Sequence, residues 1–60
     1  MADLGNLIKE RRIELGMTQD ELAEKTGYKT RSSVNKIEKG LNDLPRNKIE
    51  LFAKALNVPQ

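Results

Sequence analysis

The sequence predicts an all-α fold, a compact bundle of four short helices, or five. Three observations lead to this prediction. Apolar residues recur at helical spacing in separate segments, capping residues and glycines punctuate those segments, and no stretch alternates as a strand does. The 60 residues are near the smallest size at which one hydrophobic core suffices. We therefore expect a single domain over residues 1 to 60.

The first helix is predicted to begin at Asp3, a capping residue, and to end at Gly16, which permits a left-handed backbone. Its core positions are expected to be Leu4, Leu7, Ile8 and Leu15. Met17, just after this helix, fits a core gap-filler better than a ligand.

The run TQDE predicts a capping box between Thr18 and Glu21 at the start of a second helix. Leu22 and Ala23 would face the core, and Gly27 would close this helix after about two turns. Glu21 is therefore interpreted as a capping residue and not as a catalytic acid.

A third helix is predicted from Thr30 to about Lys39, with Gly40 after it, although Ser32 or Ser33 would cap it equally well. At 100° per residue, one narrow apolar stripe faces the core. That stripe consists of Val34, Ile37 and Leu41, and the opposite side carries Ser32, Asn35, Lys36 and Lys39.

A fourth helix is predicted after Pro45, which is compatible with a helix start. The run NKIE suggests a second capping box, from Asn47 to Glu50. The apolar stripe of this helix would be Ile49, Phe52, Ala53 and Leu56, and Asn57 and Pro59 would end it.

Positive charge is concentrated around the third helix. Residues 1 to 27 carry a net charge of −2 and residues 28 to 48 a net charge of +4, within a total of +2. A basic surface of this kind favours an anionic partner, although a basic face on a small helix is usually only solvated surface.

Several classes of protein are excluded by composition. The chain has no cysteine and no histidine, so we expect no disulfide, metal site, cofactor or catalytic residue. A core this small leaves little room for a substrate pocket, and we expect neither enzymatic activity nor a small-molecule substrate. The absence of a long apolar stretch and of a signal peptide predicts a cytoplasmic protein without a membrane partner.

A short helix, a glycine turn and a polar helix with two anchoring aliphatic residues form a helix-turn-helix arrangement. Residues 4 to 58 resemble the Cro/CI-type (XRE-like) helix-turn-helix domains of phage repressors and bacterial regulators. The most specific motifs are MTQDELAEKTG, IEKG and FAKALNV. The resemblance implies a lambda-repressor-like fold with the helix-turn-helix unit at about residues 18 to 39. It also implies sequence-specific binding of double-stranded DNA in transcriptional repression or regulation, in a bacterium or a phage-infected host cell.

The resemblance further implies which residues contact DNA, and their chemistry agrees with it. Positions that match base-reading positions, or lie beside them, are Arg31, Ser32, Ser33, Asn35 and Lys36. Arginine and lysine donate to O6 and N7 of guanine. Candidates for the phosphates that bracket this helix are Gln19, Lys29, Thr30, Lys39, Asn42 and Arg46.

Arg12 and Glu38 match family positions that form an internal ion pair between the first and third helices. Arg11 stands where the family has a core aliphatic residue, so its stem is expected to pack with its head in water. Tyr28 is expected to pack on the core edge rather than to stack near DNA, and Lys29 lengthens the turn by one residue. Family members continue into a fifth helix after the position of Val58.

Two functions remain open at this point. The first is an operator-binding domain that acts as a homodimer on two half-sites. The second is a protein-binding helical module, such as an antitoxin or anti-repressor component, whose basic helix meets an acidic partner. Salt-dependent binding of duplex DNA distinguishes them.

Overall fold

The computed structural model describes residues 4–57, which form four α-helices and no strand. The predicted all-α class is confirmed. The helices are α1 (Leu4–Glu14), α2 (Gln19–Lys25), α3 (Arg31–Glu38) and α4 (Ile49–Ala55), with a single 3-10 turn at Arg46–Lys48 before α4. The predicted cap at Asp3 and the predicted stop at Pro59 lie outside the described residues.

Residues from all four helices meet in one hydrophobic core. Because seven apolar side chains must hold the whole described chain together, each of them matters to stability. The buried cluster consists of Ile8, Leu22, Ala23, Val34, Ile37, Phe52 and Leu56. Partly buried side chains at its edge are Met17, Tyr28, Leu44 and Ala55, which agrees with the predicted packing of Met17 and Tyr28.

The prediction for the core side of α1 is largely wrong. Leu4, Leu7 and Leu15 are 55%, 51% and 40% exposed, and only Ile8 among the four predicted positions is buried. The reason is that α1 packs through Gly5, whose Cα lies so close to α3 that an added Cβ would meet backbone carbonyls there. The side of α1 that faces the protein therefore runs through Gly5 and Ile8, and Leu4 and Leu7 are exposed.

The predicted capping box of α2 is confirmed. The backbone N–H of Glu21 donates to the Thr18 hydroxyl at 3.0 Å, and the backbone N–H of Thr18 donates to Glu21 Oε1 at 3.0 Å. Hydrogen bonding to the Thr18 backbone N–H first, and to the Thr18 side chain second, lowers the pKa of the Glu21 carboxyl. Gly16 and Gly27 close α1 and α2 with φ of 69° and 82°, as predicted.

Replacing Thr18 by alanine is expected to destabilise the fold by about 1 kcal/mol, because one N–H of the first turn loses its acceptor. The pKa of Glu21 should rise only in part in this variant, because alanine removes the hydrogen bond of the Thr18 side chain but keeps the larger effect of the backbone N–H at position 18. In the parent the lowered pKa stabilises the fold above the ordinary glutamate pKa, and this contribution is lost as the pH falls through the folded-state pKa. Urea denaturation at neutral and acidic pH measures both effects. An unchanged Glu21 titration by NMR would contradict the prediction.

Helix α3 begins at Arg31 after Thr30, which occupies the capping position without a side-chain hydrogen bond. Val34 and Ile37 are buried as predicted, but Leu41 is 70% exposed. Gly40, with φ of 78°, redirects the chain after the helix ends. Leu41 therefore leaves the helical stripe on which the sequence had placed it.

The capping box predicted between Asn47 and Glu50 is wrong. The 3-10 turn intervenes, so that Lys48 caps α4 with helical φ and ψ of −104° and −10° and without a side-chain cap. Phe52 is buried as predicted, whereas Ile49 is 47% exposed. The 3-10 turn shifts the start of α4 beyond the position where Asn47 would cap it.

Arg11 joins the first helix to the end of the last one. Its Nε donates to the carbonyl of Leu56 at 2.9 Å and its Nη2 to the carbonyl of Asn57 at 3.4 Å. Carbonyl groups at the end of a helix have no N–H donor within that helix, and here the guanidinium of Arg11 supplies the donors. The Arg11 side chain remains 33% exposed, so its head is still in contact with water as expected and in addition binds these two carbonyls.

Candidate nucleic-acid interface

Helix α3 has a buried side and an exposed cationic side. Val34, Ile37 and Glu38 are buried, and at about 100° per residue the opposite direction is occupied by exposed residues. We call these the outer surface of α3: Ser32, Lys36 and the C-capping Lys39. The outer surface has the hydroxyl and cationic character that the sequence predicted for it.

The other three candidate base-reading residues lie on the flanks of α3. Arg31 is exposed, and Asn35 and Ser33 are half-buried. Arg31 and Asn35 lie on the flank that faces α2, since both contact its first turn. Ser33 lies on the opposite flank at about 200° around the helix from Arg31. The five candidates therefore span about 200° of the helix circumference, with Ser32 and Lys36 at the centre of that arc.

The first turn of α2 contacts the flank of α3 through two side chains. Gln19 Nε2 donates to Asn35 Oδ1 at 3.3 Å and to Glu38 Oε1 at 3.0 Å. Asp20 Oδ2 lies 3.9 Å from Arg31 Nη1, and both side chains are 70% exposed. Helix α2 therefore touches two of the candidate base-reading residues.

The expected ion pair between Arg12 and Glu38 is present, with Glu38 buried and Arg12 mostly buried. Nε of Arg12 donates to Glu38 Oε2 at 2.7 Å and Nη2 to Oε1 at 3.2 Å, and the two side chains are 11% and 2% exposed. Arg12 Nη1 also donates to the carbonyl of Met17 at 2.8 Å. With Gln19 as a further donor to Glu38, this carboxylate links α1, α2 and α3 and fixes the orientation of α3.

Lys48 contacts the turn between α2 and α3 through its ammonium group. Its Nζ donates to the carbonyl of Thr26 at 2.8 Å and lies 4.8 Å from the centre of the Tyr28 ring. That ring packs edge-on against Phe52 at 6.4 Å, and burial raises the pKa of the Tyr28 phenol. The preferred packing of Tyr28 is thus confirmed. Lys48, counted in the basic segment, is half-buried and does not add to the exposed charge.

Most candidate phosphate contacts bracket α3 on the surface. Those before the helix and after it are exposed: Lys29, Thr30, Lys39, Asn42 and Arg46. Gln19 differs, because it is half-buried and both hydrogens of its amide are used within the protein. Binding a phosphate through this amide would require it to give up the longer bond, to Asn35.

Sequence reasoning missed the position of Asp20. At the level of sequence Asp20 contributed only to the net charge of residues 1 to 27, whereas the structure places it beside Arg31. The signal was present, because a residue two positions after a helix cap lies in the first turn and can reach a neighbouring helix. Residues 4–57 contain no cluster of side chains that would hold a metal ion. No helix among them is long and apolar enough to cross a membrane.

Together the fold and this surface define a helix-turn-helix protein, in which two helices joined by a turn present the cationic side of the second. A family profile described as helix-turn-helix matches residues 8–59. The chain belongs to this XRE-type helix-turn-helix family.

Relatives with assigned names support the same family. The chain is 38% identical over 56 residues to uncharacterized HTH-type transcriptional regulators of Sinorhizobium medicae and Rhizobium meliloti, a match that covers 93% of this chain and 40% of each relative. It is 56% identical over 34 residues to one of Methanothermobacter thermautotrophicus, covering 57% of this chain and 48% of that relative. The chain thus spans less than half the length of these relatives.

Proposed function

We propose that residues 1 to 60 are a domain that binds double-stranded DNA sequence-specifically, in a phage-type transcriptional repressor or regulator of the cytoplasm. The observation that carries this proposal is the outer surface of α3, whose hydroxyl and two ammonium groups are exposed while the other side anchors in the core. An eight-residue helix is about 12 Å long, and the major groove, about 12 Å wide, admits a helix.

Base reading is assigned mainly to Arg31 and Lys36, which donate to guanine O6 and N7. Ser32 is exposed beside Lys36 and its hydroxyl can serve either as donor or acceptor. Asn35 accepts from Gln19 through Oδ1, so its amide hydrogens remain to donate to a base or a phosphate. Ser33, half-buried on the far flank, would contact only the edge of the groove.

Phosphate binding is assigned to exposed groups on both sides of α3. Lys29 and Thr30 precede the helix, and Lys39, Asn42 and Arg46 follow it. Contacts at both ends fix the register of a helix in the groove, which is what allows a few side chains to read sequence. Gln19 would also bind a phosphate if its amide released Asn35 Oδ1 and donated to a phosphate oxygen instead.

The operator is expected to contain two half-sites, because one domain of this kind reads only a few base pairs. A homodimer with half-sites one helical turn apart requires a separation of about 34 Å. The domain measures 29 × 22 × 22 Å, so two copies fit side by side at that separation. Occupying such an operator would block or recruit RNA polymerase.

Arg31→Ala and Lys36→Ala are each expected to weaken binding to a selected duplex about 5- to 150-fold, because each removes a donor to a guanine edge. The same changes should weaken binding to random duplex only a few-fold, as each removes one charge. Fluorescence anisotropy with a labelled selected duplex and a labelled random duplex measures both. Lys9→Ala, which removes an equal charge from the exposed part of α1, is the matched control.

The rival function is a protein-binding helical module, and salt dependence separates the two. Duplex binding requires log affinity to fall linearly with log salt, with a slope of about −0.9 for each phosphate neutralised. If both substitutions weaken all duplexes equally, these residues do not read bases. If the parent binds no duplex at low salt, the protein-binding module replaces the present proposal.

A further inference from the structure

Asp20 is a carboxylate on the surface that we assign to DNA. It lies in the first turn of α2, and its Oδ2 is 3.9 Å from Nη1 of Arg31, the first residue of α3. A negative charge at this place repels phosphates and therefore weakens generic binding to duplex DNA. Because Asp20 lowers the affinity for duplex DNA in general, a role for it beside a base-reading arginine has to lie in something other than affinity.

The chemistry of the guanidinium suggests that role. Arg31 has five N–H donors in a rigid plane, and a guanine edge uses two of them, through O6 and N7. The remaining donors are free to bind a carboxylate at the same time. A carboxylate that holds one edge of the plane limits the directions in which the opposite edge can point. Asp20 is placed to do this, because α2 is itself fixed to α3 through Gln19 and Glu38.

We propose that Asp20 is a positioning residue that sets base specificity by holding the guanidinium of Arg31 against a guanine edge. At a cognate base pair the guanidinium of Arg31 binds the guanine edge and the carboxylate of Asp20 at the same time. At a non-cognate pair the guanidinium has no guanine to bind, and the charge of Asp20 opposes its use as a phosphate contact. This inference rests on the proposed function of α3 and adds to it the residue that orients the reading arginine.

The ordinary alternative is that the two side chains form a solvated surface pair. A pair at this exposure contributes little to folding, so Asp20→Asn should leave the structure and its melting temperature nearly unchanged. Asparagine has the same shape without the charge. Glu24→Gln is the matched control, because it removes an equal charge one turn further along α2, where the exposed Glu24 forms no ion pair within residues 4–57.

The experiment uses duplexes selected from a random pool by the parent protein. The base pair read by Arg31 is the position at which Arg31→Ala loses its preference. For Asp20→Asn, the affinity ratio between the selected duplex and one altered at that pair should fall about 3- to 10-fold, a part of the bidentate preference. Random duplex should bind about 2- to 4-fold more tightly at low salt, since one repulsive charge is gone. Glu24→Gln should leave the ratio unchanged.

A double-mutant cycle tests whether Asp20 acts on base specificity through Arg31. In the Arg31→Ala background, Asp20→Asn should no longer change the ratio. If Asp20→Asn alters the ratio no more than Glu24→Gln does, or alters it equally without Arg31, the inference is overturned while DNA reading by α3 stands. If the parent selects no sequence at all, the proposed function fails and the inference fails with it.

Discussion

Replacing Glu38 by alanine is expected to destabilise the protein by about 3 to 5 kcal/mol, because Arg12 then remains buried without its carboxylate. Arg12 is only 11% exposed in the ion pair, and Gln19 loses the acceptor at 3.0 Å as well. A domain of this size has only a few kcal/mol of net stability. Thermal denaturation followed by circular dichroism should therefore show a melting temperature lower by more than about 10 °C, or a chain largely unfolded at room temperature.

The control for Glu38 is Glu50→Ala, which removes a glutamate whose pair with Lys54, at 3.6 Å, is exposed. Its cost should be about 0.5 kcal/mol or less. A double variant, Arg12→Met with Glu38→Leu, should be more stable than Glu38→Ala alone, because no buried charge is left unpaired. Melting of Glu38→Ala within a degree or so of the parent would show that the pair contributes nothing to folding.

Gly5→Ala is expected to destabilise the protein by about 2 to 3 kcal/mol, although alanine favours a helix by about 1 kcal/mol over glycine. The added methyl group would overlap the carbonyl oxygen of Ile37 and lie 2.8 Å from that of Glu38. Backbone atoms at the end of α3 cannot move aside as a flexible side chain can, so α1 would have to shift away from the core. Urea denaturation at equilibrium measures the change in the free energy of unfolding.

Two control substitutions separate this overlap from other effects. Glu10→Ala, on the exposed part of α1, tests helix preference alone and should change stability by less than about 0.5 kcal/mol. At Gly16 an added Cβ meets no atom within 4 Å, but φ is 69°, so alanine there should cost about 1 to 2 kcal/mol for its backbone alone. A Gly5→Ala variant as stable as the parent would mean that the two helices do not approach this closely.

Local sequence signals were sufficient for the helices and for several of their ends. The capping box of Thr18 and Glu21 and the glycine stops depend on residues within a few positions of one another, and these predictions are confirmed. Val34 and Ile37 were also identified correctly, because only two aliphatic residues in α3 are available to the core. Such features are encoded in short stretches of chain, where spacing alone is informative.

Burial in α1 could not be predicted in the same way. Leucines at positions 4 and 7 have helical spacing, but the close approach of α1 to α3 is made possible by the missing side chain of Gly5. Which side of α1 faces inward therefore depends on a contact with residues more than 30 positions away. The inward turn of Lys48 to the Thr26 carbonyl is another long-range contact of this kind, which its basic character does not reveal.

The candidate interface was only partly accessible from sequence. The helical spacing of 100° per residue placed Ser32 and Lys36 on the side of α3 opposite its apolar stripe, where the structure also has them. The division between the outer surface of α3 and the flank that contacts α2 was not foreseen, because it depends on how the two helices cross. Whether these residues contact DNA remains a prediction.

The outer surface of α3 and the flank that contacts α2 differ in how freely their residues can be exchanged. Ser32 and Lys36 are exposed, so exchanging them should alter stability by only about 0.5 kcal/mol, leaving evolution or a designer free to try many alternatives. Arg31 and Asn35 contact α2 through Asp20 and Gln19, so a change in either also alters a contact with the neighbouring helix. The protein thus combines two exposed positions with two whose exchange also affects α2.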